Sequence, residues 1–330
     1  MHGELGRIVW ESDLNAAALA VERARRIVAV SHRRPDGDTL GAMLAFAAAS
    51  EAAGKQVVRF CVDTPPDSLR FLPGAARVVT DPAVFAGADT VVVFDAGDLR
   101  FAGIDATLAA FPMHPTVVNI DHHATNERFG EVNVIATEAA STTEVVYRLV
   151  RVLGWPVGPE IATNVLAGLI TDTMHFFNPA TSASALALGA ELQREGGDLN
   201  AVSRALRRNK TVDALVLWGR ALERLKYDPA RSHVSTVVRE HELADLASGG
   251  DALEGLSNFL NSTLAARTVL VLHELPGGRV KGSLRTARED VDVSEEALRL
   301  GGGGHRKAAG YSVAGRIVER ENEWTVEQEQ

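Results

Sequence analysis

The residues able to do chemistry in this 330-residue chain gather in four short segments. They are Ser31-His-Arg-Arg-Pro-Asp-Gly-Asp38, Val93-Phe-Asp-Ala-Gly-Asp98, Asn119-Ile-Asp-His-His123 and Ile170-Thr-Asp-Thr173. Read singly, each has an ordinary meaning. Pro35 to Asp38 is a surface turn, and Asp95 is a helix N-cap. Read together, they offer carboxylates from Asp36, Asp38, Asp95, Asp121 and Asp172 and imidazoles from His32, His122 and His123. Two divalent cations about 3.5–4 Å apart need such a set, with one carboxylate bridging; the pair generates hydroxide and clamps the attacking and leaving oxygens of a phosphoester. An oxygen-rich set with two imidazoles suits Mn²⁺, and also Mg²⁺ or Fe²⁺. Phosphoester hydrolysis is the leading expectation. Gly37 is expected to let the backbone turn tightly, so that Asp36 and Asp38 aim into one cavity. Adjacent His122 and His123 in a strand-end loop can point differently, one to metal and one to substrate.

A second signal lies near the end of the chain. Gly301-Gly-Gly-Gly304 offers unobstructed backbone amides. They are expected to cradle a phosphate, especially if a helix starts directly after them. His305 and Arg306 add donors. Arg285, at the end of a neighbouring strand, has the chemistry of a bidentate phosphate clamp.

Positioning these groups requires strands and helices in alternation. Arg26–Ser31, Gln56–Val62, Thr90–Asp95 and Thr116–Asp121 read as short apolar strands. Thr39–Ala53 between the first two reads as an alanine-rich helix ended by Gly54. This rhythm predicts a mostly parallel, doubly wound α/β sheet, whose ligands gather at the C-terminal ends of strands. Three of the four segments lie at such ends. Ser141-Thr-Thr-Glu144 has the spacing of a capping box, and Glu160–Thr173 carries a buried helix into the fourth segment. Helices are expected over Ser182–Glu195, Leu199–Arg208 and Thr211–Lys226, the last with an apolar stripe of Leu215, Trp218, Leu222 and Leu225. After the turn at Tyr227–Ser232 the texture changes. Strands are expected at His233–Arg239, Thr268–Glu274 and Arg279–Thr286, with a hairpin turn at Pro276-Gly-Gly278 and a helix at Val293–Leu300.

Composition limits the classes. The length suits two domains, and 46% hydrophobic content is enough for real cores. The apolar runs are too short to span a bilayer, and Met1–Trp10 lacks an apolar signal core. No membrane partner is expected, and the expected location is cytoplasmic. Cys61 is the single cysteine, which excludes an internal disulfide and a cysteine-built zinc site. The net charge of −9 argues against a broad grip on long duplex nucleic acid; short nucleotides remain compatible.

The four motifs, in this order and followed by Gly301–Gly310, resemble the DHH phosphoesterase superfamily with its C-terminal DHH-associated domain. The resemblance runs from about Asp13 to Ala314. It implies a catalytic metal-binding domain over residues 1–195, a helical connector over 196–230 and a smaller α/β substrate-binding domain over 231–330, with the active site in the cleft between the domains. It also implies roles. His32, Asp36 and Asp95 would hold one metal; Asp38, Asp95, His122 and Asp172 would hold the other, with Asp95 bridging. Asp121 would orient a histidine, and His123 would face the scissile phosphate as an electrostatic stabiliser or proton donor. Arg285, His305 and the Gly302, Gly303 and Gly304 backbone would grip a terminal phosphate or sugar, with Asn126 a further nucleotide contact. RecJ-type exonucleases are longer and add an oligonucleotide-binding domain; family II pyrophosphatases have a different C-terminal domain. The length thus points to enzymes that degrade very short RNA and dephosphorylate 3′-phosphoadenosine 5′-phosphate. Cyclic-dinucleotide or pApA cleavage, single-strand exonuclease activity and a non-catalytic nucleotide-binding regulator are the alternatives. The architecture admits a homodimer. His175 reads as a packed histidine, with pocket lining as its alternative.

Overall fold

β-Branched runs become strands and alanine-rich runs become helices. A computed structural model of the chain describes residues 10–110, 115–178, 180–207, 211–244, 252–253 and 255–327. Two compact units divide at Asn209 and Lys210. In the first, α1 (Glu11–Arg23), β1 (Arg26–Ser31), α2 (Gly37–Ala52), β2 (Gln56–Cys61), β3 (Val78–Val79) and β4 (Thr90–Phe94) come first. Then follow α3 (Leu99–Ala102), α4 (Asp105–Ala110), β5 (Thr116–Asp121), β6 (Val132–Ile135), α5 (Thr142–Val152), α6 (Pro159–Asp172), α7 (Ala183–Arg194) and α8 (Leu199–Arg207).

The six strands form one sheet in the order β3-β2-β1-β4-β5-β6, and every pairing in it is parallel. Side chains alternate across it. Ile27, Ala29, Val92, Phe94 and Ile120 pack under the α1, α2, α5 and α6 layer, while Val28, Val30, Phe60, Val91 and Val93 pack against Phe85, Ala102 and Ile104 on the other face. Both faces are covered, which is why the strands read as continuous apolar runs; each fully buried Val, Ile or Phe contributes about 1.5–3 kcal/mol. The strand order reverses between β1 and β4. At such a switch point the loops diverge to opposite faces and leave a crevice beyond the strand ends.

The second unit holds α9 (Val212–Glu223), β7 (Lys226–Asp228), β8 (His233–Val238), α10 (Glu240–Ala244), α11 (Leu256–Thr263), β9 (Thr268–Leu275) and β10 (Arg279–Arg285). It continues with α12 (Ser294–Arg299), β11 (Gly303–His305), β12 (Ala308–Ala314), β13 (Arg316–Glu319) and β14 (Trp324–Glu327). Its main sheet runs β11-β12-β10-β9-β8-β7, with β8 and β9 parallel and the other neighbours antiparallel. α9 buries Ala214, Leu217 and Ala221 on this sheet, while Leu215 and Leu222 are exposed. The expected stripe on this helix is therefore rotated. The buried face is made of two alanines and Leu217, with Trp218 and Leu225 packing partly buried beside it. Among the described residues, no helix is long and apolar enough to cross a membrane.

One ion cluster ties the end of α2 to the sheet. Arg59 Nη1 and Nη2 each donate to a Glu51 carboxylate oxygen at 2.8 Å, and Arg77 donates to both at 2.9 and 2.6 Å. Led by Arg59, the arginines hold the Glu51 carboxyl down at about 2 against its ordinary 4.5. A carboxyl whose folded pKa is depressed stabilises the fold above its unfolded pKa, and that stability is lost as pH falls through the folded pKa. Between pH 4.5 and 2, wild type should therefore lose more unfolding free energy than Glu51→Gln. Denaturant midpoints measured at both pH values check this, and parallel losses in the two proteins would reject it.

Candidate metal centre

The loop after β1 turns directly into α2. Asp36 caps that helix, accepting from the amides of Asp38 at 3.0 Å and Thr39 at 3.1 Å. Gly37 is the first helical residue and has no positive φ. Its glycine is needed for a different reason from the expected tight turn: a Cβ there would lie 2.1 Å from Thr171 Oγ1 on α6. One turn on, a Cβ on Gly41 would lie 2.4 Å from Asn164 O. The two glycines let α2 and α6 approach closely, and this brings Asp38 on α2 near Asp172 at the end of α6. The Asp38 carboxylate is fully buried and accepts from the Thr142 and Thr143 amides at 2.6 and 2.9 Å. Those amides open α5, where free N–H groups and the helix dipole favour an anion.

Asp95 follows β4 with φ +57°, a left-handed conformation unusual for a residue with a side chain. It is not an N-cap; Asp98 caps α3 instead, accepting from Arg100 and Phe101 amides. Asp95 lies 3.5 Å from His32 Nε2, 3.8 Å from His122 Nε2 and 3.3 Å from His123 Nδ1. His122 Nε2 also lies 3.1 Å from Asp172 and 4.0 Å from Asp38. Three ligand groups result, each with its donor atoms within 4.8 Å of one another: His32, Asp36 and Asp95; Asp38, His122 and Asp172; and Asp95, His122 and His123.

The arrangement fits cations. His122 Nδ1 is held 3.2 Å from Ala139 O and His32 Nδ1 2.7 Å from Arg33 O, so each ring turns Nε2 toward the carboxylates. Fixing one ring nitrogen in this way is how ligating imidazoles are oriented. His122 Nε2 is buried without a well-aligned hydrogen bond and faces the carboxylates of Asp172, Asp95 and Asp38. Among the described residues, no Lys or Arg pairs with Asp36, Asp38, Asp95 or Asp172. Burial, then the Asp172 and Asp95 charges, push Asp38 well up, and burial lifts Asp172 to about 6. Burial works against a charge on His122, but Asp172 and Asp38 outweigh it and raise the ring to about 9.

Asp121 is buried outside the ligand groups. Its Oδ1 accepts from the His122 and His123 amides and from His123 Nδ1 at 2.9 Å. Asp121, then Asp95, raises the His123 ring to about 11, and that side chain is half exposed, with its other nitrogen free of these contacts. Asn126, expected at a nucleotide, is engaged internally. Its amide nitrogen donates to Asp121 Oδ2 at 2.6 Å and Ala96 O at 2.8 Å, and its oxygen accepts from Asn119 and Arg128. It is a positioning residue for Asp121.

Two threonines escaped the sequence reading. Thr39 Oγ1 accepts from the His32 amide and donates to Phe94 O at 3.0 Å, stitching β1 to β4 across the crevice. Thr142 donates its amide to Asp38 and its hydroxyl to Asp95 Oδ1 at 3.0 Å, orienting two carboxylates that between them serve all three ligand groups. The capping box at Ser141 is only half formed: Ser141 accepts from the Glu144 amide, but Glu144 reaches the Ala140 amide, one residue further back. Removing the Thr142 hydroxyl as Thr142→Val should weaken divalent-metal affinity by about 10–100-fold, the usual scale for a group that orients a ligand. Thr142→Ser should restore it. Calorimetric metal titration checks this, and unchanged affinity in the valine variant would reject it.

In the second unit, α12 precedes the glycine run and a strand follows it, so the expected helix N-terminus is absent. Gly301, at φ +73°, donates to Leu298 O and Gly302 donates to Ala297 O, closing α12 in a Schellman cap. The Gly302 amide is thereby committed, and a helix C-terminus does not favour an anion. Gly303, Gly304 and His305 instead form the edge strand β11. Register places Arg285, Ala308 and His305 side by side across β10, β12 and β11, with Ser283, Gly310 and Gly303 in the next matching row. The result is a shelf of small residues flanked by two basic ones. Arg285 Nε donates to Asn258 Oδ1 at 2.7 Å and Nη1 to Leu284 O at 2.8 Å; no carboxylate pairs with it among the described residues.

Residues 26–169 match the DHH family N-terminal domain, and residues 233–325 match the DHHA1 domain. Over 320 residues the chain is 32% identical to the bifunctional oligoribonuclease and PAP phosphatase NrnA of Thermus thermophilus, covering 96% of this chain and 93% of that one. It is 25% identical over 255 residues to a probable manganese-dependent inorganic pyrophosphatase of Streptococcus mutans, covering 71% and 81% of the two chains. An exopolyphosphatase-related protein of Bacteroides fragilis shares the fold, with a TM-score of 0.85 and 24% identity over 93% of this chain and 92% of that one. With both domains in order and a near full-length relative above 30% identity, the chain belongs to the DHH phosphoesterase family that carries a C-terminal DHHA1 domain.

Proposed function

We propose that this chain is a metal-dependent phosphoesterase that hydrolyses very short oligoribonucleotides and 3′-phosphoadenosine 5′-phosphate (pAp). The observation that carries the reading is Asp95. It stands between His32 and Asp36 on one side and His122 on the other, and His122 in turn meets Asp38 and Asp172. In this reading His32, Asp36 and Asp95 hold one divalent cation, and Asp38, Asp95, His122 and Asp172 hold a second. The donor set favours Mn²⁺, and the name of the Streptococcus relative supports that identity. When bound, such a pair supplies Lewis acidity to phosphoryl oxygens and a strong nucleophile from water at neutral pH.

The chain's own groups do the rest. Asp121 holds the His123 ring by Nδ1, leaving Nε2 for a phosphoryl oxygen. Thr142 keeps Asp38 and Asp95 aimed into the crevice. On the second unit, Arg285, Gly303, Gly304 and His305 are assigned to holding a substrate phosphate or sugar; Gly302 contributes shape, since a Cβ there would lie 2.1 Å from Gly310 O. The name of the Thermus relative supports the substrate class. The test is a panel in Mn²⁺: pAp, RNA from dimers to long strands, pApA, cyclic di-AMP and pyrophosphate. Fast turnover of pAp and of two- to five-residue RNA supports the reading. Equal rates on long and short RNA, or preference for cyclic di-AMP or pyrophosphate, would overturn it.

A further inference from the structure

After Asp172 the chain turns with the opposite hand to the helix it leaves. Met174, His175 and Phe176 have φ of +50°, +62° and +62°. Three consecutive residues with side chains in the left-handed region are strongly disfavoured in isolation. Such strain persists where surroundings over-determine it, and it gathers at functional sites. Here the pins are visible. The His175 amide donates to Ile170 O at 2.8 Å, and the Phe176 amide to Thr173 Oγ1 at 3.0 Å. The Phe177 amide donates to Thr173 O at 2.9 Å, and the Asn178 side chain to Asp172 O at 2.6 Å.

The turn separates two adjacent phenylalanines. Phe176 goes inward, packing where Gly189 leaves room: a Cβ there would lie 2.9 Å from the Phe176 ring. Phe177 goes outward and is 71% exposed, the most exposed phenylalanine among the described residues. The Asn178 side chain, next to Phe177, ties the end of the turn back to the Asp172 carbonyl. The strained turn thus holds an exposed aromatic side chain five residues after Asp172, one of the candidate metal ligands.

We propose that Phe177 is a stacking platform for a nucleobase of the substrate, and so a residue that sets preference for nucleotides over other phosphoesters. The proposal rests on the phosphoesterase reading above. A single-stranded base offers a flat face next to its phosphate, and stacking on an aromatic ring binds it with little dependence on sequence. This suits an enzyme for short RNA of mixed sequence.

The experiment compares pApA with its abasic analogue, in wild type, Phe177→Ala and Phe177→Tyr. In wild type kcat/KM should favour pApA. In Phe177→Ala the KM for pApA should rise about tenfold or more, and the preference should collapse toward one. Phe177→Tyr, which keeps the flat face, should restore it. Equal losses on both substrates, or no change on pApA, would overturn the proposal. Phe177→Trp gives a second readout: its added indole fluorescence, relative to wild type, should be quenched by pApA and not by the abasic analogue. If wild type turns over neither compound, the phosphoesterase reading fails, and the quench still decides the stacking.

Discussion

Asp95→Asn should lower turnover of pAp by more than about 10³-fold while the protein remains folded, because the stabilisation lost is that of the reacting phosphoryl group itself. The substitution keeps shape and volume. An amide also keeps one acceptor oxygen, so the 3.0 Å bond from Thr142 Oγ1 survives. What disappears is the negative charge and the second acceptor. Asp95 meets His32 through Oδ2 and His122 and His123 through Oδ1. Two ligand groups therefore lose a donor in one step. Metal should still raise thermal stability through Asp38, His122 and Asp172, but by less than in wild type, since the gain follows RT ln(1 + [metal]/Kd). Melting curves with and without Mn²⁺, beside steady-state rates, read both effects. Full activity in the asparagine variant would remove the shared carboxylate from the mechanism.

Much of this arrangement was legible because it is local. An apolar run that ends in Asp or His announces both a buried strand and what stands at its end, as Thr116–Asp121 with His122 and His123 shows. The alternation of such runs with alanine-rich helices pointed to a parallel sheet, and the sheet is parallel throughout. The groups that hold the ligands in place were not legible, because their contacts span the chain. Thr142 reaches Asp38 across 104 residues and Asp95 across 47. Nothing in their spacing signals this, and a Ser-Thr-Thr-Glu run reads as helix capping alone. Asn126 was a candidate nucleotide contact by resemblance alone, and nothing in the sequence marked its bond to Asp121.

Glycines misled in an instructive way. Gly37 suggested a turn, yet its missing Cβ serves the approach of α6. Gly301 to Gly304 suggested an anion cradle, yet two of the four amides close the helix before them. Sequence shows that a side chain is absent; whether conformation, capping or close packing required the absence is decided by the neighbours. The left-handed turn after Asp172 carries no glycine at all, so no local signal marked it.

His123→Gln should lower kcat by about 10²–10³-fold, the range found when one preorganised donor to a developing charge is removed, with metal affinity little changed. The position of its proton decides its role. Nδ1 donates to Asp121 at 2.9 Å, and Asp121 with Asp95 raises the ring to about 11. That rise above the ordinary 6.5, led by Asp121 and then Asp95, favours the charged form of the ring at neutral pH. A general acid works best with a pKa near the operating pH, and a ring so reluctant to release its proton is a poor one. It is well suited to act as a fixed positive donor at a phosphoryl oxygen. The two roles separate by leaving group. A fixed charge assists every phosphoester alike, so His123→Gln should lose the same factor on pApA as on p-nitrophenyl thymidine monophosphate. Proton donation would matter for the ribose hydroxyl and little for nitrophenolate, which leaves unaided. A loss confined to pApA would assign His123 as the acid; equal losses leave it as the charge that Asp121 holds in place.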